Sequence, residues 1–285
     1  MNDAYYRHSG EWPLPATLLA LVTGCVAGAV LSAAYAYAIL YIPIAGYITF
    51  ILTAGFGLGT GAVAGLLLKS AKVRNNTIAA VAGVVVGALA CWGSWVFWIY
   101  ALLHRADVDA PLAALALRPS LLWETIAKVN EVGAWNIHGA TPTGALLWAL
   151  WGVEALIIFG GSAFASFAVI SDAPFCESCS RWSQKEAGVC KSASGDIDEL
   201  RPKLEAKSFA AIEQLGKVKE ESSGFYRFDL RSCPRCHQTN TLTLQAVKIE
   251  LKNGKAQTSE KALVDHLLLT EGEALALKEI GRKLA

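Results

Sequence analysis

The chain has 285 residues, an apolar fraction of 54%, charged residues at 17% and a mean hydropathy of +0.39. This composition is typical of a membrane protein. The net charge of +1, near neutral on both sides of Ser171, argues against a basic nucleic-acid-binding face, so no nucleic acid is expected as a partner. Seven Lys/Arg and seven Asp/Glu precede Ser171, whereas eighteen and seventeen follow it. We therefore predict a membrane domain over residues 1–171 and a soluble domain over residues 172–285.

The first apolar segments form a helical hairpin in this prediction. Residues 1–15 are polar and aromatic, and we expect them at the membrane interface. The apolar run from residue 16 to residue 68 is too long for one span, because ~20 residues cross the hydrocarbon core. Pro43 and Gly46 mark a turn inside it, which gives spans over residues 16–41 and 44–68. A leader peptide cleaved after Ala36 is the alternative for the first span, but the residues before that site lack net positive charge.

Two further spans, over residues 77–103 and 144–171, complete a four-helix membrane bundle with the lipid bilayer as its surroundings. Lys69, Lys72 and Arg74 crowd the short loop between the second and third spans, and such loops face the cytoplasm. Both termini are then cytoplasmic, in a multi-pass protein of a bacterial inner membrane. Cytoplasmic thiols stay reduced and available to metal, which agrees with the cysteine pairs described below.

The segment over residues 104–143 lies outside the membrane in this topology. Its residues 121–129 carry apolar side chains at near-helical spacing. We expect an amphipathic helix on the membrane surface or a flap over the bundle, and simple packing also explains the pattern.

The soluble part combines helix and strand patterns. Residues 201–215 predict a helix, with Pro202 in its first turn and Gly216 just past its end. Residues 225–230 and 242–251 alternate apolar and polar side chains and predict strands, the second followed by an Asn253-Gly254 turn. A capping box at Thr270 starts a final helix over residues 274–284. The predicted fold of this domain is α+β.

Two C-x-x-C pairs are the strongest chemical signal. Cys176 and Cys179 follow the last span almost at once, and Cys233 and Cys236 lie further along, with 53 residues between the pairs. Two such pairs can surround one Zn²⁺ tetrahedrally, and we expect a helix to be inserted between them because this spacing exceeds that of a simple ribbon. Four thiolates leave no open coordination position, so the expected cofactor is one structural zinc per chain.

This region, over residues 175–245 only, resembles zinc ribbons and rubredoxin-like knuckles. It departs from them at Ser180 and His237, where a glycine commonly follows the second cysteine of a pair. Cys190 and His237 are spare candidate ligands, and the simpler interpretation is a free thiol and a neighbouring polar side chain. A thiol-redox role for the second pair remains the alternative to zinc.

Glu154 is the second signal, because it lies near the middle of the last span. A charged side chain there costs ~2.5–3.5 kcal/mol, and the other spans offer no internal Lys or Arg. Trp148 and Trp151 share its helical face and carry indole N–H donors. Glu154 is therefore either a proton or cation relay, a pore-lining residue, or a neutral acid that fastens helices together.

Glycines at four-residue spacing form the third signal. Gly57, Gly61 and Gly65 give the second span one smooth face, and similar pairs occur in the first and third spans. Small faces let helix backbones approach closely. Packing within the chain explains this pattern, and a homo-oligomer seam is the alternative.

These observations favour a non-enzymatic function. We predict a membrane anchor, sensor or adaptor whose zinc-bound domain presents a surface for a cytosolic protein partner or for self-association. One alternative is an oligomeric channel or transporter with Glu154 lining the path. Another is a membrane thiol oxidoreductase that uses a C-x-x-C pair.

Overall fold

The computed structural model describes residues 4–42, 47–134, 141–219, 223–252 and 255–284. The chain divides into two compact units, with a boundary between Asp172 and Ala173. One unit is Ser9–Asp172, and the other combines Ala173–Ala285 with the amino-terminal segment Met1–His8.

The first unit is helical. Its helices are α1 (Leu14–Tyr41), α2 (Tyr47–Ser70), α3 (Asn76–Arg105), α4 (Leu112–Leu117), α5 (Pro119–Val132) and α6 (Gly144–Ser171). Four of these, α1, α2, α3 and α6, are long and apolar enough to cross a membrane. They coincide with the four predicted spans to within a few residues at each end. The predicted turn at Pro43 and Gly46 lies outside the described residues.

Close backbone contact joins α2 to α6. A Cβ atom added at Gly61 would lie 2.2 Å from the Ser162 carbonyl oxygen, and one at Gly57 or Gly65 would lie within 3.0 Å of α6. The Ser162 hydroxyl donates a hydrogen bond of 2.9 Å to the Gly57 carbonyl. The three glycines at four-residue spacing therefore face a helix of the same chain, and their missing side chains set the distance between the two helices.

A second small-residue contact joins α1 to α3. Gly24 and Gly28 lie against Val86 and Ala90, and the Ser32 hydroxyl donates to the Ala90 carbonyl over 2.7 Å. The opposite side of α1 leaves large apolar side chains exposed, at Leu18, Leu19, Val22, Val26 and Val30. A helix with one packed small face and one exposed apolar face suits a bilayer environment.

The segment between α3 and α6 packs on one end of the bundle. Leu122 and Ile126 of α5 are buried against Ile99 of α3 and Leu147 of α6. Trp123 also stacks on the Trp148 ring, with centroids 5.0 Å apart. These contacts hold α5 against α3 and α6 within the helical unit.

The described residues of the second unit form a two-stranded antiparallel sheet, a four-stranded antiparallel sheet and three helices. Its strands are β1 (Phe175–Cys176), β2 (Arg181–Trp182), β3 (Gln184–Ala193), β4 (Gly224–Ser232), β5 (Asn240–Lys252) and β6 (Lys255–Leu269), and its helices are α7 (Ile197–Glu205), α8 (Ala210–Leu215) and α9 (Glu271–Leu284). β1 pairs with β2, and the four longer strands pair in the order β3-β4-β5-β6. The predicted Asn253-Gly254 turn lies outside the described residues, between strands that pair up to Lys252 and Lys255.

The core of this unit lies between one face of the sheet and its helices. Tyr226, Phe228 and Leu230 point into it from alternate positions of β4, with Leu204 and Leu277 from α7 and α9. This alternation is the one that predicted the strand over residues 225–230. The capping box at the start of α9 is also confirmed, since Thr270 and Glu273 exchange hydrogen bonds between side chain and backbone N–H.

The single helix predicted over residues 201–215 is wrong. The structure has two helices there, α7 and α8, separated at Lys207, whose φ is +62°. Asp196, rather than the residues around Pro202, begins α7, because its carboxylate accepts a hydrogen bond from the Asp198 N–H. Left-handed backbone at Lys207 ends the first helix, and the periodicity of apolar residues did not reveal this break.

The amino terminus extends the sheet. Tyr5 forms a β-bridge with Leu267, the Tyr6 N–H donates to the His266 carbonyl over 2.8 Å, and the Leu268 N–H donates to the Ala4 carbonyl over 2.9 Å. Residues 4–8 thus belong to the sheet-containing unit and not to a free interfacial segment. This pairing covers the edge of β6 that the other strands leave open.

A pair of glycine substitutions tests the contact between α2 and α6. We expect Gly61→Ala to lower the free energy of unfolding by about 1–3 kcal/mol, because the new methyl group overlaps the Ser162 backbone. Gly59→Ala is the matched control, since no atom lies within 4 Å of the added Cβ, and it should leave stability unchanged or raise it. Denaturant titration of the purified protein in detergent measures both, and equal stability of the two variants would contradict this packing.

Candidate metal centre

The four cysteines of the two C-x-x-C pairs converge on one point. The sulfur atoms of Cys176, Cys179, Cys233 and Cys236 all lie within 4.8 Å of one another, and those of Cys176 and Cys236 are 3.5 Å apart. A tetrahedral ion with Zn–S bonds of ~2.3 Å places its sulfurs about 3.8 Å apart. The four side chains are therefore positioned to hold a metal ion.

Each pair occupies a short turn between two antiparallel strands. Cys176 is the last residue of β1, and Cys179 lies in the turn to β2, where Cys176 pairs with Arg181. The Ser183 backbone N–H and hydroxyl both donate to the Pro174 carbonyl, at 2.8 and 2.9 Å, and close the base of this turn. The strand pairing thus orients two sulfurs to the same side.

The second turn joins β4 to β5. Cys233 follows Ser232, which is paired with Asn240, so residues 233–239 form the connection. The Cys233 N–H donates to the Thr239 carbonyl over 3.0 Å, and the Asn240 side-chain amide donates to the His237 carbonyl over 2.6 Å. The segment inserted between the two turns contains strands β3 and β4 as well as helices α7 and α8, which is more structure than the single inserted helix that we expected.

The residue after each second cysteine has left-handed backbone. Ser180 has a φ of +50° and His237 a φ of +53°. These are the two positions where the sequence departs from the glycine common in zinc knuckles, and glycine adopts this conformation without a steric penalty. The backbone of both turns therefore follows the knuckle geometry, although the side chains do not match.

Hydrogen bonds in the second turn favour the thiolate form of its first cysteine. Burial disfavours the charged form of Cys233, but backbone N–H groups of Cys236 and Arg235 donate to its sulfur and lower the pKa of the thiol to about 6. A thiolate is the form that ligates metal. The turn thus favours the thiolate at Cys233, whereas a hydrogen bond with Cys236 and burial raise the pKa of Cys179 to about 12.

The amino-terminal segment contacts the first turn. The Tyr6 hydroxyl accepts a hydrogen bond of 2.9 Å from the Phe175 N–H, and the His8 ring meets the Trp182 ring edge to face at 5.9 Å. Sequence patterns gave no sign of this contact, because Tyr6 and Phe175 are 169 residues apart. The segment that pairs with β6 therefore also supports the strands that carry Cys176.

Neither of the two spare candidate ligands, Cys190 and His237, belongs to the four-sulfur group. Cys190 is buried in the apolar core between the sheet and the helices, and it does not belong to the four-sulfur group. His237 contributes backbone groups to the second turn, since its N–H donates to the Cys233 carbonyl over 3.3 Å.

Glu154 lies in the helical unit, ten residues into α6 and so about 15 Å from the start of that helix. Its side chain is half-buried and borders a cavity among the four long helices. Within the described residues, neither Trp148 nor Trp151 donates a hydrogen bond to it. Instead, Trp151 meets Trp95 edge to face at 4.9 Å, and Trp148 packs against Trp123 and Trp151.

Substitutions at His237 test the backbone geometry of the second turn. We expect His237→Gly to keep or raise the free energy of unfolding, whereas His237→Val should lower it by about 1–2 kcal/mol, because a β-branched residue resists left-handed backbone. Arg235→Val is the control, since Arg235 is also exposed but has no positive φ, and it should change stability by less than about 0.5 kcal/mol. Release of bound metal to a chelating dye during denaturant titration measures the series. A glycine variant that releases metal more readily than the valine variant would contradict the interpretation.

Comparison of the chain with protein-family models, with curated proteins and with solved structures found no match. The case for a metal centre therefore depends on the geometry of the four sulfurs and of the two turns that carry them. The four-cysteine site resembles a zinc ribbon only in the spacing of its cysteines and in the left-handed residue after each pair.

Proposed function

We propose that this protein is a multi-pass inner-membrane protein that holds a zinc-stabilised domain at the membrane surface, where the domain binds a cytosolic protein partner or a second copy of itself. The convergence of Cys176, Cys179, Cys233 and Cys236, in a chain that also has four long apolar helices, is the observation that carries this proposal. An apolar bundle with exposed leucine and valine side chains on α1 fits an anchor in lipid.

Zinc is the metal that fits the donor set best. Soft thiolate ligands favour Zn²⁺, Cu(I) and iron–sulfur chemistry, and a closed group of four thiolates is typical of structural zinc. Such a site has no open position for substrate, so its role is to hold the domain in one shape. This supports a binding function over an enzymatic one.

The same features support a cytoplasmic position for the domain. Residues 4–8 and the segment after residue 172 form one unit, which agrees with an even number of spans and with both termini on one side. The loop between α2 and α3 carries Lys69, Lys72 and Arg74, and Arg74 pairs with Glu11 at the start of the chain. Cationic loops and reduced thiols both favour the cytoplasm.

A sensing role follows from the short connection between the two units. α6 ends at Ser171 and β1 begins at Phe175, so only residues 172–174 connect the last long helix to the strand that carries Cys176. We infer that a displacement of α6 is passed to the first turn without a flexible linker to absorb it. The bundle would then act as a sensor and the zinc domain as its output.

Transport through the bundle is the second candidate function. The cavity bordered by Glu154 is the observation that favours it, because acidic side chains inside membrane bundles commonly mark ion or substrate sites.

Metal analysis tests the zinc assignment. We expect the purified full chain to contain close to one zinc per molecule, and the variant with serine at Cys176, Cys179, Cys233 and Cys236 to lose it and to unfold at a lower temperature. Cys190→Ala is the matched control, because this thiol lies outside the cluster, and it should retain the metal. Absence of metal together with a disulfide within either pair would instead support the thiol oxidoreductase.

Proximity labelling from the carboxyl terminus tests the binding role in cells. We expect the intact protein to label a reproducible set of cytosolic neighbours or a second copy, and Cys233→Ser to lose that set because the domain loses its shape. Glu154→Gln serves as the control, since it changes a charge in the bundle and leaves the cysteines intact. An identical set of neighbours with Cys233→Ser would contradict the proposal.

A further inference from the structure

A partly open cavity of about 70 Å³ lies between the four long helices. It lies in the half of the bundle where α5 packs, since residues near the ends of α1 and α3 line it together with the first half of α6. The lining includes four aromatic side chains and one acidic side chain: Tyr35, Trp95, Trp98, Trp151 and Glu154. The cavity thus combines one carboxyl group with four aromatic rings.

The carboxyl group has no counter-charge in the described part of the chain. Among those residues, no hydrogen bond or ion pair reaches Glu154. The only Lys and Arg residues of α1, α2, α3 and α6 are Lys69 and Arg105, in the last turns of α2 and α3. Lys69 lies 4.0 Å from Asp172, and Arg105 lies over the Tyr41 ring. A half-buried carboxylate in this cavity is left to attract a cation from outside the chain.

The aromatic rings around Glu154 are held in fixed orientations. Trp95 meets Trp98 and Trp151 edge to face, with ring centroids 5.6 and 4.9 Å apart. Tyr35 stacks on Phe56 at 4.5 Å, and its hydroxyl is engaged with Thr53 at 2.8 Å. Aromatic faces attract cations, and organic ammonium groups are recognised in proteins by such rings combined with an acid.

The polar atoms of the lining fit an ammonium ion better than a metal ion. Apart from the Glu154 carboxylate, the side-chain oxygens of the lining are the hydroxyls of Tyr35, Thr49 and Ser94. This set is smaller than the roughly six to eight oxygens that a hard metal ion such as Ca²⁺ takes, whereas the lone pairs of the hydroxyls can accept hydrogen bonds from an ammonium group, which also tolerates apolar and aromatic neighbours. The cavity is also about half the size of the ~150 Å³ cavity that admits benzene in another protein, which limits the ligand to a few heavy atoms.

We propose that this cavity is a binding site for a small ammonium cation, of the class of ammonium or methylammonium, with its charge on Glu154 and its remaining surface against Trp95, Trp98 and Trp151. The site uses none of the cysteines. It is therefore independent of the metal centre and of the partner-binding role proposed above.

Equilibrium dialysis of radiolabelled methylammonium against the full chain in nanodiscs tests this site. We expect saturable binding of close to one methylammonium per chain, and an affinity at least tenfold weaker in Glu154→Gln, which keeps the shape of the side chain and removes its charge. Glu124→Gln is the matched control, because Glu124 is an exposed acid of α5, and it should bind as the unaltered chain does. The metal content of the same samples is measured alongside, so a chain without zinc that still binds methylammonium separates a failure of the zinc proposal from a failure of this one.

A second pair of variants keeps the test decisive if Glu154→Gln does not fold. Trp98→Phe keeps an aromatic face and should retain most of the affinity, whereas Trp98→Leu should lose it several-fold. Excess K⁺ should not displace the bound methylammonium. Equal binding by Trp98→Phe and Trp98→Leu, equal displacement by K⁺, or no saturable binding by the folded chain would each overturn the proposal.

Discussion

Two turns that are far apart in the sequence place their cysteine sulfurs around one point, and the arrangement of the carboxyl-terminal unit depends on that convergence. Cys176 and Cys179 come from the β1–β2 turn, and Cys233 and Cys236 from the β4–β5 turn. An ion bound there would close a loop of 53 intervening residues, and a covalent link across a loop of this length is worth about 4 kcal/mol in chain entropy. The loop contains β3 and β4 of the four-stranded sheet and the helices α7 and α8, so such an ion and the apolar core would stabilise the same part of the chain.

The amino terminus gives this unit a second connection to the helical bundle. Residues 4–8 pair with β6 and contact the first cysteine turn through Tyr6 and His8, and α1 begins only a few residues later, at Leu14. The sheet-containing unit is therefore joined directly to the first long helix as well as to the last.

Small side chains and large aromatic side chains occupy different parts of the bundle. Gly57, Gly61 and Gly65 bring the backbone of α2 against α6 over residues 57–65. Towards the start of α6, Trp95 and Trp151 line the cavity beside Glu154. Tight packing in one half and an aromatic cavity in the other are compatible within one bundle, because each needs only a local choice of side-chain size.

The sequence by itself determined the features that depend on neighbouring residues. About twenty consecutive apolar residues define a span, a C-x-x-C pair presents two sulfurs from one turn, and Thr270 with Glu273 caps a helix, whatever lies elsewhere in the chain. The tertiary structure decided the rest. β3 and β6 carry many polar residues and become strands because β4 and β5 offer them hydrogen-bonding edges. The pairing of Tyr5 with Leu267 likewise joins residues that are distant in the sequence. The meeting of the four sulfurs and the aromatic surroundings of Glu154 likewise exist only after folding, since a pattern read along the chain does not contain the distances between residues remote from each other in it.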